Sequence, residues 1–149
     1  MSQTINADKQ VKSKERVQKH GEVFTPQWVV NDMLDLLPAD VWSPNTTFLE
    51  PACGEGAFLK EIYKRKLQNI KVETQSEWEW QAAIATSSIY GIELLEDNAK
   101  QCMQNLMQIF SDFYRILISF FRINGYFYLL AEYAQLFDSG RSIHVAGNQ

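Results

Sequence analysis

The stretch FLEPACGEGAFL, residues 48–59, constrains the fold of this chain more than any other part of the sequence. It predicts a short strand over residues 46–50, a turn over residues 51–55 and a helix from residue 56 to about residue 67. Gly54 and Gly56 lack a Cβ, so the backbone of the turn can approach a ligand closely. A turn that leads from a strand into a helix usually receives a phosphate group.

The turn is acidic, and this argues against a phosphate. Glu50 precedes its first glycine and Glu55 follows that glycine directly. There is no GK[ST] triplet, and Leu59 replaces the third glycine of a dinucleotide-binding GxGxxG pattern. A carboxylate at the strand end would repel a pyrophosphate. It would suit a ligand with a cationic end, such as S-adenosylmethionine with its ammonium and sulfonium groups.

Apolar periodicity and breaker residues predict the remaining elements. In chain order these are a helix over residues 26–37 with Thr25 as its N-cap, some helix within residues 69–87, a strand over residues 88–94, a helix from Glu96 to about Phe113, a helix over residues 126–137 and a strand over residues 142–146. The second strand is largely apolar and is expected to be buried on both faces. This order predicts an α/β fold with a parallel sheet. Three strands are fewer than the usual five or six, so the sheet is expected to be incomplete.

Charge divides the chain into two parts. The first twenty residues carry a net charge of +3, whereas the whole chain carries −4. We interpret residues 1–20 as a basic, flexible N-terminal arm and residues 21–149 as a partial cofactor-binding domain. The arm can be a solvated leader, or its cations can contact the phosphates of a nucleic acid.

Cysteine content and hydropathy predict a compartment. Cys53 and Cys102 are too few for a disulfide scaffold, and the N-terminus lacks the pattern of a secretory leader, so a reducing cytoplasm is expected. The most apolar region, residues 110–133, is interrupted by charged residues. We interpret it as buried helix rather than as a membrane span.

The second predicted strand ends in YGIE, with Glu93 at its tip. In open parallel sheets a carboxylate at this place can accept hydrogen bonds from both hydroxyls of a ribose. Acidic residues at strand ends also occur for structural reasons alone, but the acidic turn upstream strengthens the ligand interpretation. Glu93 is therefore a candidate ribose-binding residue.

Three separated segments resemble one family of enzymes. GEVFTP at residues 21–26, FLEPACGEGAFL at residues 48–59 and YGIELLEDNA at residues 90–99 look like the successive S-adenosylmethionine-binding motifs of gamma-class N6-adenine DNA methyltransferases. These are the modification subunits and enzymes of bacterial restriction–modification systems. The resemblance implies a Rossmann-like, S-adenosylmethionine-dependent methyltransferase fold, of which this chain has the N-terminal portion of the sheet.

The resemblance implies a role for each matching residue in binding S-adenosyl-L-methionine. Residues on the methionine side would be Phe24, Thr25 and Pro26, with Glu50 facing the ammonium group. The loop around the cofactor would consist of Pro51, Ala52, Cys53, Gly54 and Gly56, and the nucleoside would be bound by Glu93 at the ribose and Leu94 at the adenine. No metal site is expected, and no catalytic residue is assigned.

The catalytic motif of that family, [DNS]PP[YFW], is missing from the sequence. In the family this tetrapeptide holds the flipped adenine. Asn148 stands where a base-contacting polar residue would be expected and is a candidate substrate-binding residue. The expectation is a cofactor-binding portion that is inactive alone. DNA would be bound through a missing C-terminal part or a partner, such as a restriction or specificity subunit.

Two alternatives stay open. The chain can belong to a methyltransferase of another acceptor class, because the same fold serves many acceptors. It can also be a non-catalytic fragment that acts as an interaction module, with the aromatic residues 110–137 as its contact surface. An unpaired sheet edge and these apolar residues also predict self-association.

Overall fold

A computed structural model describes residues 12–138 of the chain, and at His20 and residues 124–138 it describes the backbone alone. The structure is mixed α/β, as predicted. It divides into two compact units, one that ends at Phe113 and one that begins at Tyr114. All the predicted cofactor-binding residues belong to the first unit, whereas Asn148 lies outside the described residues.

The described elements are helices α1 (Lys14–His20) and α2 (Gln27–Leu34), a short 3₁₀ helix (Ala39–Trp42), strand β1 (Phe48–Glu50), helices α3 (Ala57–Gln68) and α4 (Gln75–Ser87), strand β2 (Ile89–Gly91) and helix α5 (Glu96–Asp138). The two strands pair in parallel, with Phe48 opposite Ile89. Because the strands are parallel, their carboxyl ends lie at the same edge of the sheet. The residues that follow the strands, 51–56 and 92–95, are therefore neighbours.

The predicted strand, turn and helix around residues 46–67 are confirmed. The backbone of the turn passes through left-handed conformations at Gly54, with φ of 53°, and at Gly56, with φ of 83°. Glycine adopts such conformations without the steric cost that a Cβ would bring. Helix α3 then begins at Ala57, one residue after its predicted start. Two glycines therefore set the reversal of the chain from strand to helix.

Helix α4 lies within residues 69–87, where the sequence predicts some helix without defining its bounds. Thr74 Oγ1 accepts a hydrogen bond from the Glu77 amide at 3.3 Å, and the Glu77 carboxylate accepts one from the Thr74 amide at 3.3 Å. This reciprocal capping box satisfies two amides that would otherwise be unpaired at the start of the helix. The result is a helix of 13 residues.

Helix α2 is shorter than the predicted helix over residues 26–37, and its N-cap is different. Pro26 and not Thr25 occupies the N-cap position, since Pro26 has an extended ψ of 146° and its carbonyl accepts the first helical hydrogen bonds. The helix ends at Leu34. Two of the amides that follow bond to carbonyls three residues back, in a tightened turn before Pro38.

Strand β2 differs from its prediction in length and in burial. It spans three residues rather than residues 88–94. The prediction that it is buried on both faces is wrong. Phe48 and Ile89 pack against the core, but the alternate side chains Leu49 and Tyr90 are 62% and 53% exposed. Among the described residues, only one face of the sheet is therefore covered.

Helix α5 runs without interruption over 43 residues. The prediction of two separate helices, with a break before residue 126, is wrong. A helix passes through a glycine such as Gly125 at a cost of about 1 kcal/mol relative to alanine, and this cost does not end the helix. None of the helices described over residues 12–138 has the length and hydropathy that a bilayer-spanning segment needs. The strand predicted over residues 142–146 lies outside the described residues.

The buried core of the first unit joins the turn to three helices. Its members come from α2, from the turn, from α3 and from α5: Val30, Leu34, Cys53, Leu59, Ile62 and Cys102. Phe48 and Ile89, one from each strand, pack against this cluster. Because Cys53 is a member, the turn is anchored by a side chain that is buried in the core.

Among the described residues of the first unit, one charged side chain is fully buried. Lys66 of α3 is 0% exposed, and its Nζ donates to the carbonyls of Ser43, at 3.0 Å, and of Thr46. Burial lowers the pKa of Lys66 to about 8. The protonated amine therefore costs free energy in the folded chain that it does not cost in the unfolded chain.

We expect Lys66 to make the free energy of unfolding rise with pH. Between about pH 8 and pH 10.5 the unfolded chain holds a proton that the folded chain has lost, so higher pH favours the folded state. The free energy of unfolding should rise by an amount on the order of 3 kcal/mol over this range. Below about pH 8 the rise has not begun, and above about pH 10.5 it is complete. Urea unfolding of the wild type and of Lys66→Met across this range measures the rise, since the variant lacks the titrating amine. A constant difference between the two proteins would contradict the prediction.

Candidate functional site

A cavity lies at the carboxyl ends of the two strands. Its volume is about 670 Å³, within the range of roughly 300 to 1,000 Å³ that is typical of small-molecule sites. Three separate segments line it: residues 21–24 before α2, Pro51, Ala52 and Gly54 of the turn, and residues 92–95 after β2, together with Lys19 and Asn98. Motifs that stand far apart in the sequence therefore meet at one cavity.

Backbone hydrogen bonds that continue the strand pairing hold the turn beside residues 92–95. The Ile92 amide donates to the Glu50 carbonyl at 2.9 Å, and the Cys53 amide donates to the Ile92 carbonyl at 3.0 Å. The parallel pairing therefore extends past the last strand residues into both loops. This pairing fixes the position of one loop relative to the other.

Glu93 joins the two loops at the cavity. Its Oε2 accepts a hydrogen bond from the Gly54 amide at 2.8 Å, and its Oε1 accepts one from the Leu95 amide at 2.8 Å. The sequence predicts a ligand-binding role for Glu93, and the structure adds a second role, that of a brace for the turn. Each carboxylate oxygen has two acceptor sites, and the backbone amides occupy one site on each. Both oxygens can therefore still accept a hydrogen bond from a ligand hydroxyl.

Three backbone amides of the turn donate their hydrogen bonds to acceptors within the protein. The Gly54 amide bonds to Glu93, and the Cys53 amide bonds to a carbonyl of the neighbouring loop. The Gly56 amide bonds to the Cys53 carbonyl at 2.7 Å. In a phosphate-binding loop, amides of this kind point to the ligand. Their use within the protein agrees with the acidic side chains in arguing against a phosphate site.

The two glycines of the turn have different neighbours. A Cβ at Gly54 would lie 3.6 Å from the ring of Phe24, which is an ordinary contact, and Gly54 lines the cavity. A Cβ at Gly56 would lie only 2.6 Å from Sγ of Cys102, and Gly56 is buried and does not line the cavity. The structure therefore gives Gly56 a packing role, in which it lets the turn approach α5.

The structure brings some of the predicted site residues to the cavity and leaves others outside its lining. Those that line it are Phe24, Pro51, Ala52, Gly54, Glu93 and Leu94. Those that do not are Thr25, Pro26, Glu50, Cys53 and Gly56. Leu94 is 86% exposed, so its surface is accessible to a ligand ring.

The two cysteines are packing residues. Both are buried, and neither forms a disulfide. Burial raises the pKa of the Cys53 thiol, and burial raises the pKa of Cys102 to about 12. A thiol with a raised pKa keeps its proton at neutral pH and is a poor nucleophile. The cysteine of the turn therefore contributes packing rather than chemistry.

Lys19, Glu22 and Asn98 line the cavity although the sequence interpretation assigns them no role. Two of these residues could have been found from the sequence, because Glu22 stands inside the motif GEVFTP and Asn98 stands inside the motif YGIELLEDNA. With Glu93, the lining contains two carboxylates and one lysine. Acidic side chains therefore outnumber basic ones in the lining.

A group of polar side chains, here called the arm cluster, borders the same cavity. Its members are Lys12, Arg16, Glu22, Glu55, Asp97 and Asn98. Hydrogen bonds from Arg16 lower the pKa of Glu22. Hydrogen bonds from Arg16 and Lys12 lower the pKa of Asp97 to about 2. Two cations of the predicted basic arm are thus paired with acidic groups of the first unit.

The family model of the N-6 DNA methylases matches residues 10–116, more than half of the 149 residues of the chain. The matched range contains all three motifs and every residue that lines the cavity. No curated protein and no solved structure matches the chain. The resemblance to DNA methyltransferases is confirmed, and the chain belongs to the N-6 DNA methylase family.

Proposed function

We propose that this chain is the S-adenosylmethionine-binding portion of a site-specific DNA methyltransferase that modifies adenine at N6. The observation that carries the proposal is the convergence of three family motifs on one cavity at the carboxyl ends of two parallel strands. Ligands of open parallel sheets bind at this edge. When bound, S-adenosylmethionine supplies a methyl group that the positive charge on sulfur activates.

The charge of the cavity supports this choice of ligand. Glu22 and Glu93 line the cavity with Lys19. Glu22 is paired with Arg16, whereas the Glu93 carboxylate bonds only to backbone amides and keeps its negative charge uncompensated by a side chain among the described residues. Glu50, at the end of β1, has a side chain that pairs with no other side chain among the described residues. S-adenosylmethionine carries a sulfonium and an ammonium group, whereas NAD and ATP carry several negative phosphate charges. Negative side chains attract the first ligand and repel the other two.

Each part of the ligand has a chemically suitable partner. Glu93 offers its remaining acceptor sites to the two ribose hydroxyls. Leu94 offers an exposed apolar surface to the adenine ring. Phe24 and the backbone at Gly54 border the methionine part. Glu50 does not line the cavity, but it precedes the lining residue Pro51 and adds negative charge near the ammonium group. The surrounding fold is then the N-terminal portion of a Rossmann-like methyltransferase sheet.

We expect calorimetric titration to show binding of S-adenosylmethionine, or of its demethylated product S-adenosylhomocysteine, and no binding of NAD or ATP. Gly54→Asp is the control, because Gly54 lines the cavity and a side chain there would occupy space next to the ligand. Its affinity should fall by about tenfold or more. Binding of a nucleotide without a response to either sulfur compound would refute the proposed ligand.

The acceptor half of the reaction requires an element that the sequence does not contain. In the family that the chain resembles, a polar-Pro-Pro-aromatic tetrapeptide holds the flipped adenine, and no such tetrapeptide occurs in the 149 residues. We infer that a further segment or a partner subunit supplies this element and the DNA-binding surface. Methyl transfer to DNA by these residues alone would contradict the inference.

A further inference from the structure

The arm cluster is centred on Arg16 of α1. Its Nε donates to one oxygen of Glu22 at 2.6 Å, and its Nη2 donates to the other oxygen of the same carboxylate at 2.7 Å. Its Nη1 donates to Asp97 at 2.9 Å. A guanidinium bound through two parallel hydrogen bonds is held in orientation as well as in position, and a lysine cannot reproduce this geometry.

Asn98 connects this ion pair to the start of α5. It is 1% exposed, and its Nδ2 donates to Glu22 at 2.6 Å. Its Oδ1 accepts from Lys12 at 2.6 Å and from Arg16 at 3.3 Å. Removing a partner from a buried amide leaves a polar group unsatisfied, which is costly. Glu22 and Asn98 also line the cavity, so the arm cluster forms part of its wall.

Lys12 extends the arm cluster to the acidic turn. Its Nζ lies 2.8 Å from the Glu55 carboxylate and 3.1 Å from the Asp97 carboxylate. The same Nζ lies 5.7 Å from the centre of the Phe24 ring. The negative charge of the turn is therefore partly balanced by a lysine of the arm. These contacts hold the arm, the turn and the first turn of α5 together beside the cavity.

We propose that Arg16 is a positioning residue for the cofactor cavity. By holding Glu22 against Asp97 and Asn98, it fixes residues 21–24 as one wall of the cavity. Helix α1 has only seven residues and is too short to be stable by itself, so its docking depends on these contacts. Docking of α1 and binding of the cofactor are therefore coupled. The identity of the ligand rests on the proposed function, whereas the docking of α1 does not.

The proposal also changes the interpretation of the basic arm. Lys12 and Arg16 are engaged by acidic groups of the same chain. A cation that is paired in this way releases no counterion from DNA, so it contributes little to nucleic acid affinity. These two residues therefore contribute to the wall of the cofactor cavity, and their pairing makes them less available to DNA phosphates.

The test uses the full chain as wild type and as the variants Arg16→Gln, Arg16→Lys, Asp97→Asn and Lys14→Gln. Lys14 is an exposed residue of the same helix and has no ion pair among the described residues, so Lys14→Gln controls for the loss of one positive charge. The first measurement is the calorimetric affinity for S-adenosylhomocysteine. The second is the rate of trypsin cleavage after Lys19, a bond that all five proteins share and that is cleaved when α1 opens.

We expect Arg16→Gln to weaken binding by about tenfold or more and to speed cleavage after Lys19 by about fivefold or more, because it leaves the buried Glu22 carboxylate without its cation. Asp97→Asn should change both measurements in the same direction by about threefold, since the Asp97 side chain is half-exposed. Arg16→Lys should recover part of both effects, because it keeps the charge but loses the two-point hydrogen bonding. Lys14→Gln should stay within about twofold of the wild type in both measurements. Circular dichroism of each variant verifies that the rest of the chain remains folded.

Unchanged affinity in both Arg16→Gln and Asp97→Asn would overturn the positioning role. A loss of affinity in Lys14→Gln equal to that in Arg16→Gln would also overturn it, because the effect would then be one of overall charge. A wild type that binds no S-adenosylhomocysteine would refute the proposed function instead. In that case the cleavage rates by themselves decide whether Arg16 docks α1.

Discussion

Replacing Gly56 with alanine is expected to lower the free energy of unfolding by about 2 to 5 kcal/mol. Two effects add. The backbone at Gly56 has a φ of 83°, in the left-handed region, and an L-residue there costs about 1 to 2 kcal/mol. The new Cβ would also lie 2.6 Å from Sγ of Cys102, and overpacking of this kind typically costs about 1 to 3 kcal/mol.

Gly21→Ala separates the two effects. Gly21 also has a positive φ, 66°, but no atom lies within 4 Å of its Cβ position, so its variant should show the backbone cost alone. In a Cys102→Ala background the clash at Gly56 is removed, since the nearest side-chain atom is then Cβ at 3.5 Å. Gly56→Ala should then cost about as much as Gly21→Ala. Urea unfolding measures all of these variants, and equal costs in the wild-type background would disprove the packing role of Gly56.

Glu93→Ala is expected to abolish measurable cofactor binding and to lower the free energy of unfolding by about 2 to 4 kcal/mol. The carboxylate bridges the amides of Gly54 and Leu95, and the alanine variant removes the acceptor of both. Hydrogen bonds to a charged group contribute about 1.5 to 3 kcal/mol each. Because Glu93 is partly exposed, we expect each of its two hydrogen bonds to contribute near the lower end of this range. The turn would lose its brace together with its ribose acceptor.

Glu93→Gln and Glu50→Gln test the brace more precisely. A glutamine has one acceptor oxygen, so Glu93→Gln should keep one of the two hydrogen bonds. Its free energy of unfolding should fall by about half as much as that of Glu93→Ala. Glu50 is a neighbouring acid without a side-chain partner among the described residues. Glu50→Gln should therefore change the free energy of unfolding by less than about 0.5 kcal/mol while weakening binding of a cationic ligand. Similar destabilisation by Glu50→Gln and Glu93→Ala in urea unfolding would show that Glu93 is not a specific brace.

The fold could be predicted where the structure depends on close neighbours in the sequence. Gly54 and Gly56 permit positive φ, so the turn between β1 and α3 follows from their positions. The capping box of Thr74 and Glu77 is equally local and could have revealed α4, because the two residues are three positions apart. Burial was less predictable. Tyr90 stands in a largely apolar stretch that was expected to be buried, yet its side chain is exposed. Burial depends on which elements cover a strand, and the residues of the strand do not specify this.

The candidate site could be predicted where a motif specifies both the residue and its place at a strand end. Phe24, Gly54 and Glu93 stand in three motifs, and the structure brings them to one cavity. Arg16 could not be predicted, because it stands outside the quoted motifs and its partner Asp97 is 81 residues away. Its role follows only from the approach of α1 to α5.

The sequence by itself determined the strand, glycine turn and helix, the acidic character of the turn and the family of the chain. These properties reside in residue types and short spacings, which need no knowledge of distant contacts. The tertiary structure decided why Gly56 must be glycine, why the pKa of Lys66 is lowered and what Arg16 binds. Each of these depends on which surfaces pack together, and packing brings together residues that the sequence separates by tens of positions. Burial and ion pairing are therefore properties of the folded chain, whereas turn geometry and helix capping are properties of its segments.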